Sequence, residues 1–166
     1  MRASQQVMPI VSILVAFAMA GQVIGVSGSW AAIDRQSSCE ALTRSPYPAT
    51  RTRAAATAGF RFTPDRRQWG QFHVALSRAP RAGAAVRLEI GRQPFLLVAR
   101  GQDAWSRGTA QDQAIIAALR SAGSMKVIAR SRSGGRFIDR FEVRGAATAI
   151  DMAAARCALR GAGKIR

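Results

Sequence analysis

A chain of 166 residues with 48% hydrophobic content has room for one domain and a targeting segment, which excludes wholesale disorder. Its 25 basic against 9 acidic residues give a net charge of +16, and lysine occurs only at Lys126 and Lys164. Two cysteines and one histidine exclude a Cys-x-x-Cys redox centre and a four-ligand cysteine–histidine zinc site. The arginine excess has two readings: a surface for anionic partners, or a habit of a chain that over-uses alanine and arginine throughout.

The front of the chain reads as a secretory signal over residues 1–20. Arg2 supplies the positive start, Ile10 to Ala20 is an uncharged apolar run, and Ala18-Met19-Ala20 is a small-x-small cleavage pattern. No charge falls between Val7 and Val26, a length that spans a bilayer, so an uncleaved anchor reaching residue 26 is the alternative. No cysteine follows the apolar run, so a lipoprotein is not expected. Residues 21–29 read as a linker, residues 30–160 as one β-rich domain, and residues 161–166 as a tail. In an exported chain, Cys39 and Cys157 make a long-range disulfide the natural reading; a buried reduced pair is the alternative.

Within the domain, Trp30 to Asp34 opens a first strand and Cys39 to Ser45 alternates as a second. Ser45 to Gly59 reads as an exposed basic loop, since Pro46 and Pro48 forbid regular structure and small residues offer little to bury. Gln68 to Ser77 is a strand with Phe72, Val74 and Leu76 on one face. Ala84 to Ile90 alternates Val86, Leu88 and Ile90 against Arg87 and Glu89. Pro94 to Arg100 is apolar on both faces and belongs inside a sheet. Gly101 to Gly108 reads as a loop carrying Trp105.

Thr109 to Ser121 has the stripe of a helix (Ile115, Ile116, Leu119), with Thr109 as N-cap and Asp112 near its positive end. Met125 to Arg130 and Phe137 to Val143 form a hairpin around Ser133-Gly134-Gly135, where glycine accepts positive φ without steric cost. Asp139 shares the apolar face of Phe137, Phe141 and Val143, so its carboxylate requires a partner. Gly145 ends the strand. A small-residue helix from Ala146 to Leu159 then places Ala146, Ile150, Ala153 and Cys157 on one side. The element order predicts a mainly β (α+β) fold, an antiparallel β-sandwich or curved sheet with two flanking helices.

In its order of pieces the chain resembles the invasion-associated locus B family of bacterial exported proteins, in a short two-cysteine form. The resemblance runs from Trp30 and Cys39-Glu40-Ala41-Leu42 through Leu88-Glu89-Ile90-Gly91, Phe95-Leu96-Leu97 and Asp103-Ala104-Trp105. It continues through Ala114 to Leu119, Met125-Lys126-Val127, Ser131-Arg132-Ser133-Gly134, Asp139, Phe141, Val143, Gly145, Ala149-Ile150 and Cys157. It implies a periplasmic or envelope-associated β-rich protein without an established catalytic centre, in a family linked to host-cell invasion.

The side chains that could carry chemistry are few. His73 stands without a G-x-S-x-G nucleophile elbow, and no metal-ligand spacing or phosphate loop is present. Cofactors are therefore not expected. Asp139, Gly134, Gly145 and Trp105 read as structural. Arg44, Arg51, Arg53, Arg61, Arg66 and Arg67 fall in one section around the proline loop and are the candidate anion-binding set. They suit lipid head groups, an acidic polysaccharide or another envelope protein; the compartment argues against nucleic acid. The expectation is a non-enzymatic envelope protein acting by binding. One alternative is a small periplasmic hydrolase or sugar-active enzyme using Asp139 with Asp103 or Glu142. Another is an inner-membrane-anchored accessory protein.

Overall fold

The computed structural model describes residues 21–163; the proposed signal at 1–20 and the tail end at 164–166 lie outside the described residues. Ten strands and two helices follow one another: β1 Gln22–Ser27, β2 Trp30–Asp34, β3 Cys39–Arg44, β4 Thr57–Phe62, β5 Trp69–Ala75, β6 Val86–Ile90, β7 Gln93–Arg100, β8 Asp103–Trp105, α1 Thr109–Leu119, β9 Met125–Arg130, β10 Arg136–Phe141 and α2 Ala146–Ala162. The strands form one sheet in the order β1-β2-β3-β4-β5-β8-β7-β6-β9-β10. Every pairing is antiparallel.

The sheet curves far enough for its ends to touch. After the β1–β2 turn, the Ser29 N–H donates to the Arg144 carbonyl (3.3 Å) and the Trp30 indole to the Glu142 carbonyl (2.8 Å). Gly28 and Gly145 sit at this meeting point with positive φ, and a Cβ on Gly145 would strike the Ser27 carbonyl. Only glycine fits there, because it combines that φ with a bare Cα.

The expected alternation places the core. Val86, Leu88 and Ile90 of β6 and Phe72 and Val74 of β5 turn inward; Trp30 stacks on Phe60 and Phe60 meets Phe72 edge-on, at centroid distances of 6.2 and 5.3 Å. Helix α2 buries Ala146, Ala149, Ile150, Ala153 and Cys157 on the inner face of the sheet. Its small side chains permit close approach, and Cys157 is disulfide-bonded to Cys39 of β3 with a Cα–Cα distance of 5.7 Å. Buried Asp112 of α1 accepts from the Phe72 N–H (2.9 Å) and from the Ser106 hydroxyl, tying the helix to β5.

Several expectations are corrected. Residues 21–29 are not a linker: β1 pairs with β2 and closes one sheet edge. The proline loop ends at residue 56, and β4 follows with Ala58, Phe60 and Phe62 facing inward. Residues 103–105 are a short strand between β5 and β7, not loop. Gly108, not Thr109, occupies the N-cap of α1 and makes no side-chain bond. Helix α2 runs to Ala162, so the start of the expected tail is helical. β7 lies inside the sheet as expected, yet its outer face is bare, with Leu96 45% and Val98 54% exposed.

The registers sort the loops by end. Arg44 pairs with Thr57, Ala75 with Asp103 and Thr57, Arg100 with Asp103, and Arg130 with Arg136. Loops 45–56, 76–85, 101–102 and 131–135 therefore gather at one end of the sheet. Loops 35–38 and 63–68 lie at the other, beside the Cys39–Cys157 disulfide.

Candidate functional site

The first set of loops builds an arginine-lined groove. In loop 45–56, Pro46 and Pro48 fix φ and withhold ladder donors, which ends the strand, and Thr50 and Arg53 close the turn: the Thr50 N–H donates to the Arg53 carbonyl at 2.7 Å. Arg53 folds back to donate to the Pro48 carbonyl (3.1 Å), its guanidinium 5.7 Å from the Tyr47 ring centre. The Ala54 N–H then donates to the Ser77 carbonyl (3.0 Å), joining this loop to loop 76–85.

Ser77 is the junction. Its own N–H donates to the Asp139 carboxylate at 2.9 Å, so buried Asp139 of β10 holds the groove floor from beneath. On the far side, the Arg81 N–H donates to the Arg130 carbonyl (2.8 Å), and Pro80 bridges Ser131. The β9–β10 turn is closed by Ser131 and Gly135, with Gly134 at φ +87. Gln102 is held by two bonds with the Leu76 backbone, at 2.8 and 3.2 Å.

The resulting groove has a volume of about 680 Å³ and is lined by Arg51, Arg53, Arg78 and Arg132, with Thr50, Ser77, Gln102, Ser131 and Ser133 among them. Among the described residues, no aspartate or glutamate lines it. A second groove of about 650 Å³ adjoins it, lined by Arg81, Arg107 and again Arg132. Among the described residues, none of these six arginines forms an ion pair. Guanidinium forks offer paired N–H donors to a carboxylate or phosphate, so the lining can grip anions by charge-assisted hydrogen bonds.

The six arginines expected as one set are divided. Arg51 and Arg53 line the groove, and Arg44 lies exposed at the same sheet end. Arg61, Arg66 and Arg67 lie at the opposite end, because β4 carries the chain across the sheet, roughly 17 Å for a six-residue strand. There Arg61 pairs with Glu40 (2.8 Å), Arg67 pairs with Asp65 (3.4 Å), and the Arg66 guanidinium lies 4.2 Å from the Trp69 ring centre. Sequence reasoning missed Arg78, Arg81, Arg107 and Arg132. Arg78 directly follows one predicted strand and Arg132 lies two residues beyond another, and assigning each strand its direction would have brought them to the same end as Arg51.

The carboxylates named for an enzyme do not converge. Asp139 faces the core under Ser77, whereas Asp103 lies beside His73 (Oδ1–Nε2 2.9 Å) on the outer face. The His73 ring is 5.2 Å from Trp105. Glu142 is exposed beyond β10.

A solved structure similar to this chain is the crystal structure of invasion associated protein B from Bartonella henselae. It superposes with a TM-score of 0.60 at 14% identity, covering 80% of this chain and 96% of that one. The likeness shows the fold. No family model matches the sequence, and no curated protein matches it.

Proposed function

We propose that this is a non-enzymatic, exported envelope protein of the invasion-associated locus B type that binds an anionic envelope component through the arginine groove. One observation carries the reading: Arg51, Arg53, Arg78 and Arg132 converge from three loops on a cavity without a carboxylate. Like charges held together in an unliganded fold repel, and an anionic ligand relieves that repulsion. The apolar run before β1 and the Cys39–Cys157 disulfide support an oxidising, extracytoplasmic setting. The fold likeness to invasion associated protein B agrees with the locus B resemblance, and Asp139 and Asp103, a carboxylate pair of the enzyme alternative, lie apart.

The test is co-sedimentation with isolated cell envelopes at low and high salt. The wild type sediments with them and is released by salt, as expected where exposed charges dominate. A variant combining Arg51→Ala, Arg53→Ala, Arg78→Ala and Arg132→Ala stays in solution. Equal, salt-insensitive sedimentation of both proteins would overturn the reading.

A further inference from the structure

We infer that the groove's ligand is a linear acidic glycan, a sugar chain with carboxylate or phosphate groups at intervals, laid across both grooves. The inference rests on the anion-binding reading above and specifies its ligand.

Three observations carry it. First, the two grooves adjoin, with Arg132 in the wall of each. Each alone has the volume of an ordinary small-molecule pocket, about 300–1,000 Å³, and exceeds what one carboxylate or phosphate needs. A track of two such cavities, with Arg51, Arg53 and Arg78 along one part and Arg81 and Arg107 along the other, fits a chain with repeated charges.

Second, the polar groups between the arginines are hydroxyls and an amide: Thr50, Ser77, Ser131, Ser133 and Gln102. Arginine only donates, whereas hydroxyl and amide groups both donate and accept. The Gln102 amide N–H already donates to the Leu76 carbonyl, and the Ser131 and Ser133 hydroxyls bond each other. The Gln102 side-chain oxygen and the remaining hydroxyl lone pairs are acceptors that a ligand bearing only anionic oxygens leaves unused and sugar hydroxyls satisfy.

Third, among the described residues no aromatic side chain lines either groove. Single-stranded nucleic acid is held largely by bases stacked on aromatic rings, and that platform is missing here. A bilayer surface is the competing anionic partner, and the vesicle probe below tests it.

The experiment measures binding by titration calorimetry. The probes are galacturonate monomer, a short and a long oligogalacturonate, a neutral oligoglucan, an oligothymidylate and phosphatidylglycerol vesicles. The long oligouronate binds at least about tenfold more tightly than the short one, because contacts in the second groove become intramolecular. The neutral oligoglucan does not bind. Arg107→Ala lowers affinity for the long oligomer to that for the short one and leaves the short one unchanged; Arg132→Ala weakens both. Thermal unfolding confirms that both variants fold. Equal binding of monomer and oligomers overturns the glycan track but leaves the anion-binding reading standing. Tighter binding of the oligothymidylate or the vesicles than of the long oligouronate likewise overturns it. Failure of every anionic probe overturns both readings.

Discussion

At the disulfide end of the sheet, Asp34 holds Arg156 and Arg160, and Glu40 holds Arg35 and Arg61. At the groove end, Arg51, Arg53, Arg78 and Arg132 line a cavity with no carboxylate between them. Both ends belong to one strongly basic chain, so composition alone does not explain the difference. Where loops 35–38 and 63–68 meet α2, the charges serve the fold: Arg160 bonds the Asp34 carboxylate and the carbonyls of Arg35 and Gln36, fastening the helix. At the groove end Asp139 is buried and spent on the Ser77 N–H, and Asp103 is turned to His73 on the outer face. The backbone there is fastened largely by main-chain bonds, and apart from Arg53, which donates to the Pro48 carbonyl, the guanidiniums are left to solvent or a ligand.

Breaking the disulfide end gives the largest expected effect on stability. The Cys39–Cys157 bond closes a sequence separation of 118. Replacing both cysteines by alanine costs up to about 4–5 kcal/mol in the chain-entropy account, read as a fall in the denaturant midpoint. A change below about 1 kcal/mol would mean that α2 packing alone holds that end.

Next in size come the two buried carboxylates, which separate the ends. Asp139→Ala leaves the Ser77 N–H without its acceptor, costing about 1–3 kcal/mol, and loosens the groove floor, so ligand binding weakens as well. Glu40→Gln costs about 1 kcal/mol, because its arginine partners are half exposed and solvent screens the pairs, and leaves binding intact. Glu40 also carries a pH signature. Burial opposes its charge, but hydrogen bonds and attraction from Arg35 and Arg61 prevail and hold its carboxyl below the usual value. Its stabilisation is therefore fully present above the unfolded carboxylate range, about pH 4.3–4.5, and is lost as pH falls through the lower folded value. Thermal unfolding followed from neutral to acid pH shows this loss in the wild type and less of it in Glu40→Gln.

The smallest effect on stability belongs to the groove. Alanine at Arg51, Arg78 or Arg132 changes unfolding by no more than about 0.5 kcal/mol, since each is a surface side chain without an ion pair. A loss of several kcal/mol would show that these residues serve the fold instead.

Period-2 alternation made β5, β6 and β9 legible in the sequence, and the small-residue stripe ending at Cys157 identified α2 and its close packing. β1 was hidden because an uncharged apolar run suits a secretory segment as well as an edge strand. β8 was hidden because three residues are too few to show a period. Phe60 and Phe62 were the only large apolar signals of β4, and they stood at the end of a proline-rich loop. The groove was half legible. Arg51 and Arg53 could be named from the loop, but Arg61 stood near them in sequence and far in space. Arg78 and Arg132 reach the groove through the chain of pairings from β5 across β8, β7, β6 and β9 to β10, and no local pattern encodes those.

The most direct test of the contrast between the ends removes the same charge from two places. One variant carries alanine at Arg51, Arg53, Arg78 and Arg132; the other carries alanine at Arg66, Arg92, Arg140 and Arg144, arginines that line neither groove and form no ion pair among the described residues. Affinity for a long oligogalacturonate is measured for both at equal ionic strength. The account predicts that the groove variant loses at least about tenfold in affinity, some 1.4 kcal/mol, while the second variant stays near the wild type. Equal losses in the two variants would contradict it and reduce the groove to a share of the general positive charge.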